Sequence, residues 1–357
     1  PMGSRLMKQW LAFPLNNIEA INQRLNSVEA FYLDEELRLS LIDQLKKIGD
    51  LERMVSRLAI GKLGPKEAIQ LARSLSESKP IESLLKKNKT VKALSKGLDN
   101  TDAVVSLIQK YLQPNPPAIL TKGNVIADGI DQELDDLRKL AFSGKDYLVQ
   151  IQERESELTG ISSLKIGFNN VFGYYLEVTN VHKDKVPQEW MRKQTLTNAE
   201  RYITAELKEY EEKILGAEEK IMGLEIKLYE LLLDQLQPFI SAIQSTAKKL
   251  AEIDCLTTFS LNAINWGYSK PVLNQSHCIN IKEGRHPVIE QEMSLGESYI
   301  ANDVILDNET QQIIMLTGPN MAGKSALLRQ TALISLMAQI GSYVPAKSAD
   351  LGIIDKL

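Results

Sequence analysis

The sequence of 357 residues predicts a mainly α-helical protein: a helical core, two long antiparallel coiled-coil arms, a small β module at their tip, and an incomplete α/β domain at the C-terminal end. Three observations predict this fold class. Helical periodicity fills residues 16–111, heptad-like spacing occurs in two separate segments, and an apolar run near the C-terminus leads into a glycine-containing loop and a helical pattern.

The composition is that of a folded protein, with 43% hydrophobic and 25% charged residues, which excludes a disordered chain. No apolar run approaches the roughly 20 residues that cross a bilayer, and the N-terminus lacks a secretory signal, so we expect a cytoplasmic location. The net charge of −4 means that any contact with nucleic acid must come from a locally basic surface. Cys255 and Cys278 lack the spacing of a zinc site or a disulfide framework.

The helical core is predicted in two parts, residues 1–127 and 237–275. In the first part apolar residues recur at steps of three and four, and breaks are expected at residues 49–50, 64–65 and 79–80. After Pro238 the helical pattern resumes to about Asn265, and we expect this segment to complete the same core.

Two segments with heptad-like apolar spacing, residues 128–160 and 200–236, predict the arms. At about 1.5 Å per residue each arm would be roughly 40 to 55 Å long. The predicted seam positions are Ile130, Leu134, Leu137, Ala141, Gly144, Leu148, Ile151 and Leu158 on the first arm, and Ile203, Leu207, Tyr210, Ile214, Ala217, Ile221, Leu224, Leu228 and Leu231 on the second.

Residues 161–199 between the arms predict a β module, because Lys165–Thr179 is rich in aromatic and β-branched residues. Asn169 and Asn170 are suited to a turn between two strands, and glycines 167 and 173 mark close approaches of the backbone. The aromatic residues are expected to form the core of the module. They are Phe168, Phe172 and Tyr175.

This module is also locally basic, with seven basic and five acidic residues between Lys165 and Lys208. Cations and neutral donors together suit the phosphate oxygens of nucleic acid, although ordinary solvated lysines would give the same charge balance. The position at the end of long arms favours contact with a partner. The predicted contact residues are Lys165, Lys183, Lys185, Arg192, Lys193, Thr195 and Asn198.

Near the C-terminus, the apolar run 312–316 predicts a buried strand and residues 324–340 predict a helix. The spacing Gly-x-x-x-x-Gly-Lys-Ser between them is that of a phosphate-binding loop (P-loop), in which loop amides and the helix N-terminus converge on an anion. We therefore expect ATP to bind here, with Lys324 on the outer phosphates and Ser325 on Mg²⁺. The predicted loop residues are Gly318, Pro319, Asn320, Met321, Ala322, Gly323, Lys324 and Ser325.

A P-loop enzyme also needs an acidic residue on a neighbouring strand to organise Mg²⁺ and the attacking water. About 30 residues follow Ser325, and Asp355 is a poor candidate for this role, so we expect no catalytic residue in the chain and negligible hydrolysis of ATP. The absence of an initiator methionine before Pro1 suggests an internal piece of a longer chain. The histidines form no constellation, and His286 suits a structural turn as well as a functional role.

Four stretches of the sequence closely resemble the MutS family of DNA mismatch-repair ATPases, and the resemblance extends over essentially the whole chain. The first is Thr317-Gly-Pro-Asn-Met-Ala-Gly-Lys-Ser325 followed by Leu328-Arg-Gln-Thr-Ala-Leu-Ile334. The others are Gly284-Arg-His-Pro287, Gly167-Phe-Asn-Asn-Val-Phe-Gly-Tyr-Tyr175 and Met191-Arg-Lys-Gln-Thr-Leu-Thr-Asn-Ala-Glu-Arg-Tyr202.

The resemblance implies a core domain, lever helices, a clamp that grips double-stranded DNA, and the first part of the ATPase domain, which residues 276–357 would form. It implies that Tyr299 stacks on adenine and that Lys193, Thr195 and Asn198 contact the DNA backbone. In the full-length protein it implies a homodimer and a MutL-like repair partner. Ala322 departs from the family, most of whose members have glycine there, and the mismatch-reading domain, the connector and the later acidic motif are missing.

The function that these observations favour is that of an ATP-regulated clamp in DNA mismatch repair, in which the nucleotide state is signalled through the lever helices to the tip. Two alternatives remain open. One is a recombination-associated relative that acts on DNA junctions, and the other is a scaffold whose loop binds nucleotide without driving any motion.

Overall fold

A computed structural model describes residues 2–98, 101–169, 171, 173–294, 297–319 and 323–356. The described chain is mainly helical with two small sheets, in agreement with the predicted mainly α-helical class. None of its helices has both the length and the apolar character needed to cross a membrane. The helices are α1 (Met2–Ala12), α2 (Ile18–Leu33), α3 (Glu35–Leu45), α4 (Leu51–Ala59), α5 (Pro65–Ser76), α6 (Ser78–Lys87), α7 (Asp102–Tyr111), α8 (Gln132–Thr159), α9 (Ala205–Leu236), α10 (Ile240–Trp266), α11 (Ile289–Glu292) and α12 (Lys324–Gln339). The strands are β1 (Lys165–Asn169), β2 (Gly173–Thr179), β3 (Met191–Thr195), β4 (Ala199–Ile203), β5 (Val272–Asn274), β6 (Ile279–Gly284), β7 (Asn302–Leu306) and β8 (Ser348–Gly352).

The chain divides into two compact units. Unit 1 contains Pro1–Ile60, Gln70–Val105 and Leu236–Leu357, and unit 2 contains Gly61–Ile69 and Ser106–Gln235. The boundaries of the six segments that the sequence predicts remain predictions.

Unit 1 is built around α10, a helix of 27 residues that packs against α1, α2, α3 and α4. Three neighbouring helices begin where a short polar side chain caps them. The side-chain oxygens of Asn17, Asp34 and Asp50 accept hydrogen bonds from backbone N–H groups in the first turns of α2, α3 and α4, at 2.9, 3.0 and 3.1 Å. Each cap satisfies one N–H group that the helix itself leaves without a partner.

The break predicted at Lys79–Pro80 is displaced toward the N-terminus. Helix α6 begins at Ser78, so Pro80 lies in its first turn. Proline is tolerated at this position because the first N–H groups of a helix have no intrahelical acceptor.

The sheet of unit 1 has the order β5-β8-β6-β7, in which β5 and β8 are parallel and the other neighbours are antiparallel. The C-terminal end of α12 is held by the helical part of the same unit. The Arg24 guanidinium donates to Ile340 O at 3.0 Å, and Gln339 Nε2 donates to Leu15 O at 3.0 Å. Arg24 also lies over the ring of Trp10, 3.6 Å from its centroid, so one side chain joins three elements.

Helices α8 and α9 of unit 2 are antiparallel, because residues further along α8 contact residues earlier in α9. Arg138 contacts Glu225, Tyr147 stacks on Tyr210 with ring centroids 4.0 Å apart, and Arg154 contacts Glu206. Between these contacts, at Gly144, the helices approach closely. A Cβ atom at Gly144 would lie 2.7 Å from Ile214 Cγ1, so a side chain at this position would displace Ile214.

The predicted seam holds over much of the helix pair and fails at the C-terminal ends of α8 and α9. Leu134, Leu148, Ile151, Leu207 and Ile214 are buried as predicted. Leu158, however, is exposed, and Leu231 is 46% exposed. From residue 225 the buried face moves by one position, because a straight helix drifts by about 20° per heptad from a strict seven-residue repeat. The buried positions there are Glu225, Tyr229, Leu232, Leu233 and Leu236.

Glu225 is a buried carboxylate that the seam prediction did not anticipate, and its side chain is 1% exposed. Arg138 donates to Glu225 Oε1 at 2.5 Å, and the backbone N–H of Val125 lies 3.3 Å from each carboxylate oxygen. The same guanidinium donates to Ile126 O at 2.8 Å and to Asp128 at 2.7 Å. This network joins α8, α9 and the 123–128 segment.

Replacing Arg138 by alanine should destabilise unit 2 by about 3 kcal/mol, because it leaves the Glu225 carboxylate buried and unpaired. The measurement is chemical denaturation, with hydrogen exchange of α8 and α9 to localise the change. Lys139→Ala is the matched control, since Lys139 is the next residue of α8 and makes an exposed ion pair, 3.5 Å from Asp136. The Lys139→Ala variant should have nearly the same midpoint of chemical denaturation as the unaltered protein. Equal effects of the two substitutions would contradict the prediction.

Candidate nucleic-acid and nucleotide sites

The sheet between α8 and α9 has the order β1-β2-β4-β3, with every neighbouring pair antiparallel. Tyr175 is buried as predicted, but Phe168 is 47% exposed and lies beside the ring of Tyr174. Asn170 and Phe172, for which a turn and a core position were expected, lie outside the described residues. The buried cluster of this sheet is shared with both helices and consists of Leu148, Ile151, Ile161, Leu164, Leu176, Val178, Trp190, Tyr202, Leu207 and Ile214.

Side chains of both helices fix the sheet by accepting hydrogen bonds from its backbone. Gln152 Oε1 of α8 accepts from Ile166 N at 3.0 Å, and Glu211 of α9 accepts from Tyr174 N at 2.6 Å. Gly173 makes room for the second contact. Its φ is +76°, and a Cβ atom there would lie 2.2 Å from a Glu211 carboxylate oxygen. The orientation of the hairpin β1–β2 therefore depends on α9.

A second polar contact joins the helices next to the sheet. Glu206, in the first turn of α9, accepts from Arg154 at 2.5 Å and from the hydroxyl of Tyr147 at 2.7 Å. These two hydrogen bonds lower the pKa of Glu206, and the bond to Glu206 raises the pKa of Tyr147 to about 12. At neutral pH Glu206 is therefore an ionised acceptor and Tyr147 a protonated donor.

Six of the seven predicted contact residues lie on β3, in the turn after it, or in a short 3-10 helix, Asn180–Lys185. The structure ties the turn to the 3-10 helix, because Asn180 N donates to Asn198 O at 3.1 Å and Asn180 Nδ2 donates to Thr197 O at 3.0 Å. All six are exposed: Lys183, Lys185, Arg192, Lys193, Thr195 and Asn198.

Lys165 is separated from this group. It begins β1, the opposite edge strand from β3, and three strand spacings between the edges amount to about 14 Å. The structure therefore brings six of the predicted residues to one edge region and leaves the seventh at the other edge.

Lys193 occupies the extra position of a β-bulge. Arg192 pairs with Tyr202 and Gln194 with Arg201, so Lys193 has no residue opposite it on β4. A bulge bends the strand and redirects the side chain of the extra residue. Lys193 is exposed there on an edge strand.

Beneath this edge, Glu200 is an almost buried carboxylate. It accepts from the hydroxyl of Tyr202 and from Arg192 at 3.2 Å. The bond from Tyr202, with the nearby charge of Arg192, lowers the pKa of Glu200, so the carboxylate stays ionised. Arg192 is thus held by an internal ion pair, whereas Arg201 is used within the sheet, stacked on Tyr175 and donating to Glu177 at 3.0 Å.

At the predicted phosphate loop, α12 begins at Lys324 directly after Gly323, whose φ of +82° lies in the left-handed region. Gly323 has no side chain to cap the helix, so the first N–H groups of α12 remain available to another acceptor. Lys324 Nζ donates to Gly318 O, and to Pro319 O at 2.7 Å, which holds the ammonium group over the loop. Ser325 is exposed in the first turn. Asn320, Met321 and Ala322 lie outside the described residues.

The strand predicted at residues 312–316 is not formed. Ile313 is 84% exposed and Met315 is 85% exposed. A buried parallel strand needs neighbours that take up its N–H and C=O groups, and in the described part of the chain this segment pairs with no strand. Together with β7 and α12 it lines an open apolar groove of about 610 Å³.

Tyr299, the predicted adenine-stacking residue, is half-buried and donates its hydroxyl to Oε1 of Gln330 in α12 at 3.0 Å. Burial raises the pKa of Tyr299, so the hydroxyl remains a donor at neutral pH. Gln330 was not predicted from the sequence. The sequence does contain a signal for it, because Gln330 lies on the same helical face as Ile334 and Ala338, at spacings of four, where an apolar residue is expected.

His286 is buried within a turn, and its Nδ1 faces the N–H groups of Val288 and Ile289 at 3.3 and 3.2 Å. Its neighbour Arg285 donates to Glu290 at 2.6 Å. These contacts favour the structural reading of the histidine over the functional one.

Comparison with known proteins gives two family matches: residues 1–260 match the model of MutS domain III, and residues 314–357 match that of MutS domain V. The chain is 55% identical over its whole length to the DNA mismatch repair protein MutS of Bacteroides fragilis, and 55% identical to that of Phocaeicola vulgatus. The protein of the same name from Christiangramia forsetii is 52% identical. The chain spans 42%, 41% and 41% of the lengths of these relatives. The family resemblance is confirmed.

Replacing Gly173 by alanine should loosen the sheet from α9, because the added methyl group collides with the Glu211 carboxylate and φ is positive. We expect a loss of more than about 1 kcal/mol in the stability of unit 2, measured by denaturation and by hydrogen exchange of β1 and β2. Gly216→Ala in the interior of α9 is the matched control. A Cβ atom there meets nothing within 4 Å, so the control should stabilise the helix by about 0.5 to 1 kcal/mol. Effects of the same sign at both positions would contradict this account.

Proposed function

The chain belongs to the MutS family, and from this premise we propose that it forms part of an ATP-regulated clamp that acts on double-stranded DNA in mismatch repair. In this proposal unit 2 supplies the lever helices and the grip, and unit 1 supplies the helical core and the start of the ATPase domain. The complete protein is proposed to act as a homodimer with a MutL-like partner.

The proposed grip is the edge region with the six exposed polar and basic residues around β3. Lys183, Lys185 and Lys193 are suited to phosphate oxygens, and Thr195 and Asn198 add neutral donors. Such contacts carry no base information, so this surface would bind the duplex by its backbone. The ion pair of Arg192 with Glu200 leaves part of the guanidinium for DNA and fixes its direction.

The proposed nucleotide site fits ATP and Mg²⁺ in the residues that the structure describes. The observation that carries this assignment is the ammonium group of Lys324, held over the loop carbonyls at the uncapped N-terminus of α12. An anion placed there would meet the helix N–H groups and the lysine together. Ser325 would hold Mg²⁺, which neutralises charge on the phosphate oxygens when bound, and Tyr299 would stack on adenine.

Replacing Lys324 by alanine should abolish measurable ATP binding by the complete protein in a calorimetric titration, because the loop loses its cation for the outer phosphates. Lys347→Ala is the control, since Lys347 is an exposed lysine of the same unit that pairs with Glu283 at 2.6 Å. It should bind ATP as the unaltered protein does. Unchanged affinity in the Lys324 variant would overturn the nucleotide assignment.

Replacing Lys193 by alanine should weaken duplex binding equally on matched and mismatched DNA. The number of counterions released on binding, measured from the salt dependence of the affinity, should fall by about one. Binding of the isolated chain to labelled duplexes over a series of salt concentrations measures both quantities. Lys213→Ala is the control, because Lys213 lies on α9 and pairs with Glu209 at 2.8 Å.

The isolated chain itself should bind duplexes weakly and without regard to mismatches. A preference of this chain for mismatched DNA, or the same salt dependence after both lysine substitutions, would contradict the proposed grip. Comparison of mismatched, matched and junction DNA with the complete protein tests the repair function against action on junctions.

A further inference from the structure

Gln330 is a polar side chain in the core of unit 1, and its residue is 0% exposed. Its Oε1 accepts the hydroxyl of Tyr299 at 3.0 Å, and its Nε2 has no hydrogen-bond partner among the described residues. A buried amide with an unsatisfied N–H group costs stability, whereas an apolar residue would fill the same position without that cost. The single hydrogen bond to Tyr299 is the interaction that the glutamine supplies.

The fold makes room for this amide at Gly284. A Cβ atom at Gly284 would lie 2.6 Å from Gln330 Nε2 and 2.8 Å from Ile281 Cγ2. Gly284 pairs with Asn302 at the start of β7, three residues after Tyr299, and the register shifts between Ile281 and Gly284. The Gly-Arg-His-Pro turn, the start of β7 and the side chain of Gln330 therefore form one packed arrangement.

Helix α12 carries the phosphate-binding residues and Gln330 on one rigid body. Lys324 and Ser325 form its first turn, and Gln330 follows Lys324 by six residues, which is about 9 Å along the axis. The bond to Gln330 thus joins the aromatic ring proposed for the base to the helix proposed for the phosphates. Without it, the hydroxyl of Tyr299 would have no fixed point on α12.

We propose that Gln330 is a positioning residue that orients the ring of Tyr299 for the nucleotide base, so that base affinity depends on a residue that does not touch the nucleotide. This inference rests on the proposed nucleotide site. It assigns a role to the Gly284 turn as well, since a side chain there would displace the amide of Gln330.

The test compares the binding of ATP and of inorganic tripolyphosphate by the complete protein, measured by calorimetry. Tyr299→Phe keeps the ring and removes the hydroxyl, and Gln330→Met keeps the length of the side chain and removes the acceptor. Each should weaken ATP binding about five- to tenfold, the size of one hydrogen bond, and leave tripolyphosphate binding unchanged. The double variant should bind ATP as tightly as the single variant with the lower ATP affinity, because both substitutions remove the same hydrogen bond.

Tyr268→Phe is the matched control, since Tyr268 accepts a hydrogen bond from Gln291 Nε2 at 3.2 Å in the same unit. The Tyr268→Phe variant should keep the same ratio of ATP affinity to tripolyphosphate affinity as the unaltered protein. If Gln330→Met does not fold, Tyr299→Phe alone decides. Unaltered ATP affinity in Tyr299→Phe, or an equal loss of both ligands, overturns the inference and leaves the nucleotide site in place. A complete protein that binds no ATP before any substitution overturns the nucleotide site itself.

Discussion

Helices α8 and α9 approach each other at Gly144, where an added Cβ atom would lie 2.7 Å from Ile214 and displace its side chain. Polar contacts keep the helices in register on both sides of this point: Arg138 with Glu225 on one side, and Arg154 and Tyr147 with Glu206 on the other. The sheet is attached to the same two helices through hydrogen bonds from its backbone. Its direction is therefore a consequence of helix spacing, and the cations of β3 have a defined position only while that spacing holds.

Buried or half-buried acids organise unit 2 more than its apolar seam suggests. Glu225, Glu206, Glu211 and Glu200 each accept from a partner on another element, and the removal of any of them leaves a donor unpaired. Apolar packing tolerates small shifts of one helix along the other. These hydrogen bonds do not, because they are lost when donor and acceptor move apart by about an ångström. The acids therefore select one register among the several that the heptad spacing permits.

Much of this architecture follows from local sequence rules. The arms, the strand-rich segment between them and the helix after the predicted phosphate loop were predicted because their periodicities are regular and their boundaries carry turn or capping residues. Glu225 was missed because the predicted seam places Leu224 inside and Glu225 outside it, and Gln330 was missed because periodicity assigns its position to an apolar residue. Only their partners in space, Arg138 and Tyr299, make the two polar side chains acceptable there. The strand at 312–316 was wrong for a related reason: apolar character indicates burial, but a strand also needs neighbours for its backbone.

Helix α12 is fastened at its far end, where Arg24 and Leu15 hold Ile340 and Gln339, while Ser325 in its first turn is exposed. The helix spans about 24 Å and is also held at its middle, where Gln330, Ile334 and Ala338 are buried. Its loop end and α2 are therefore linked by one continuous helix and the Arg24 hydrogen bond.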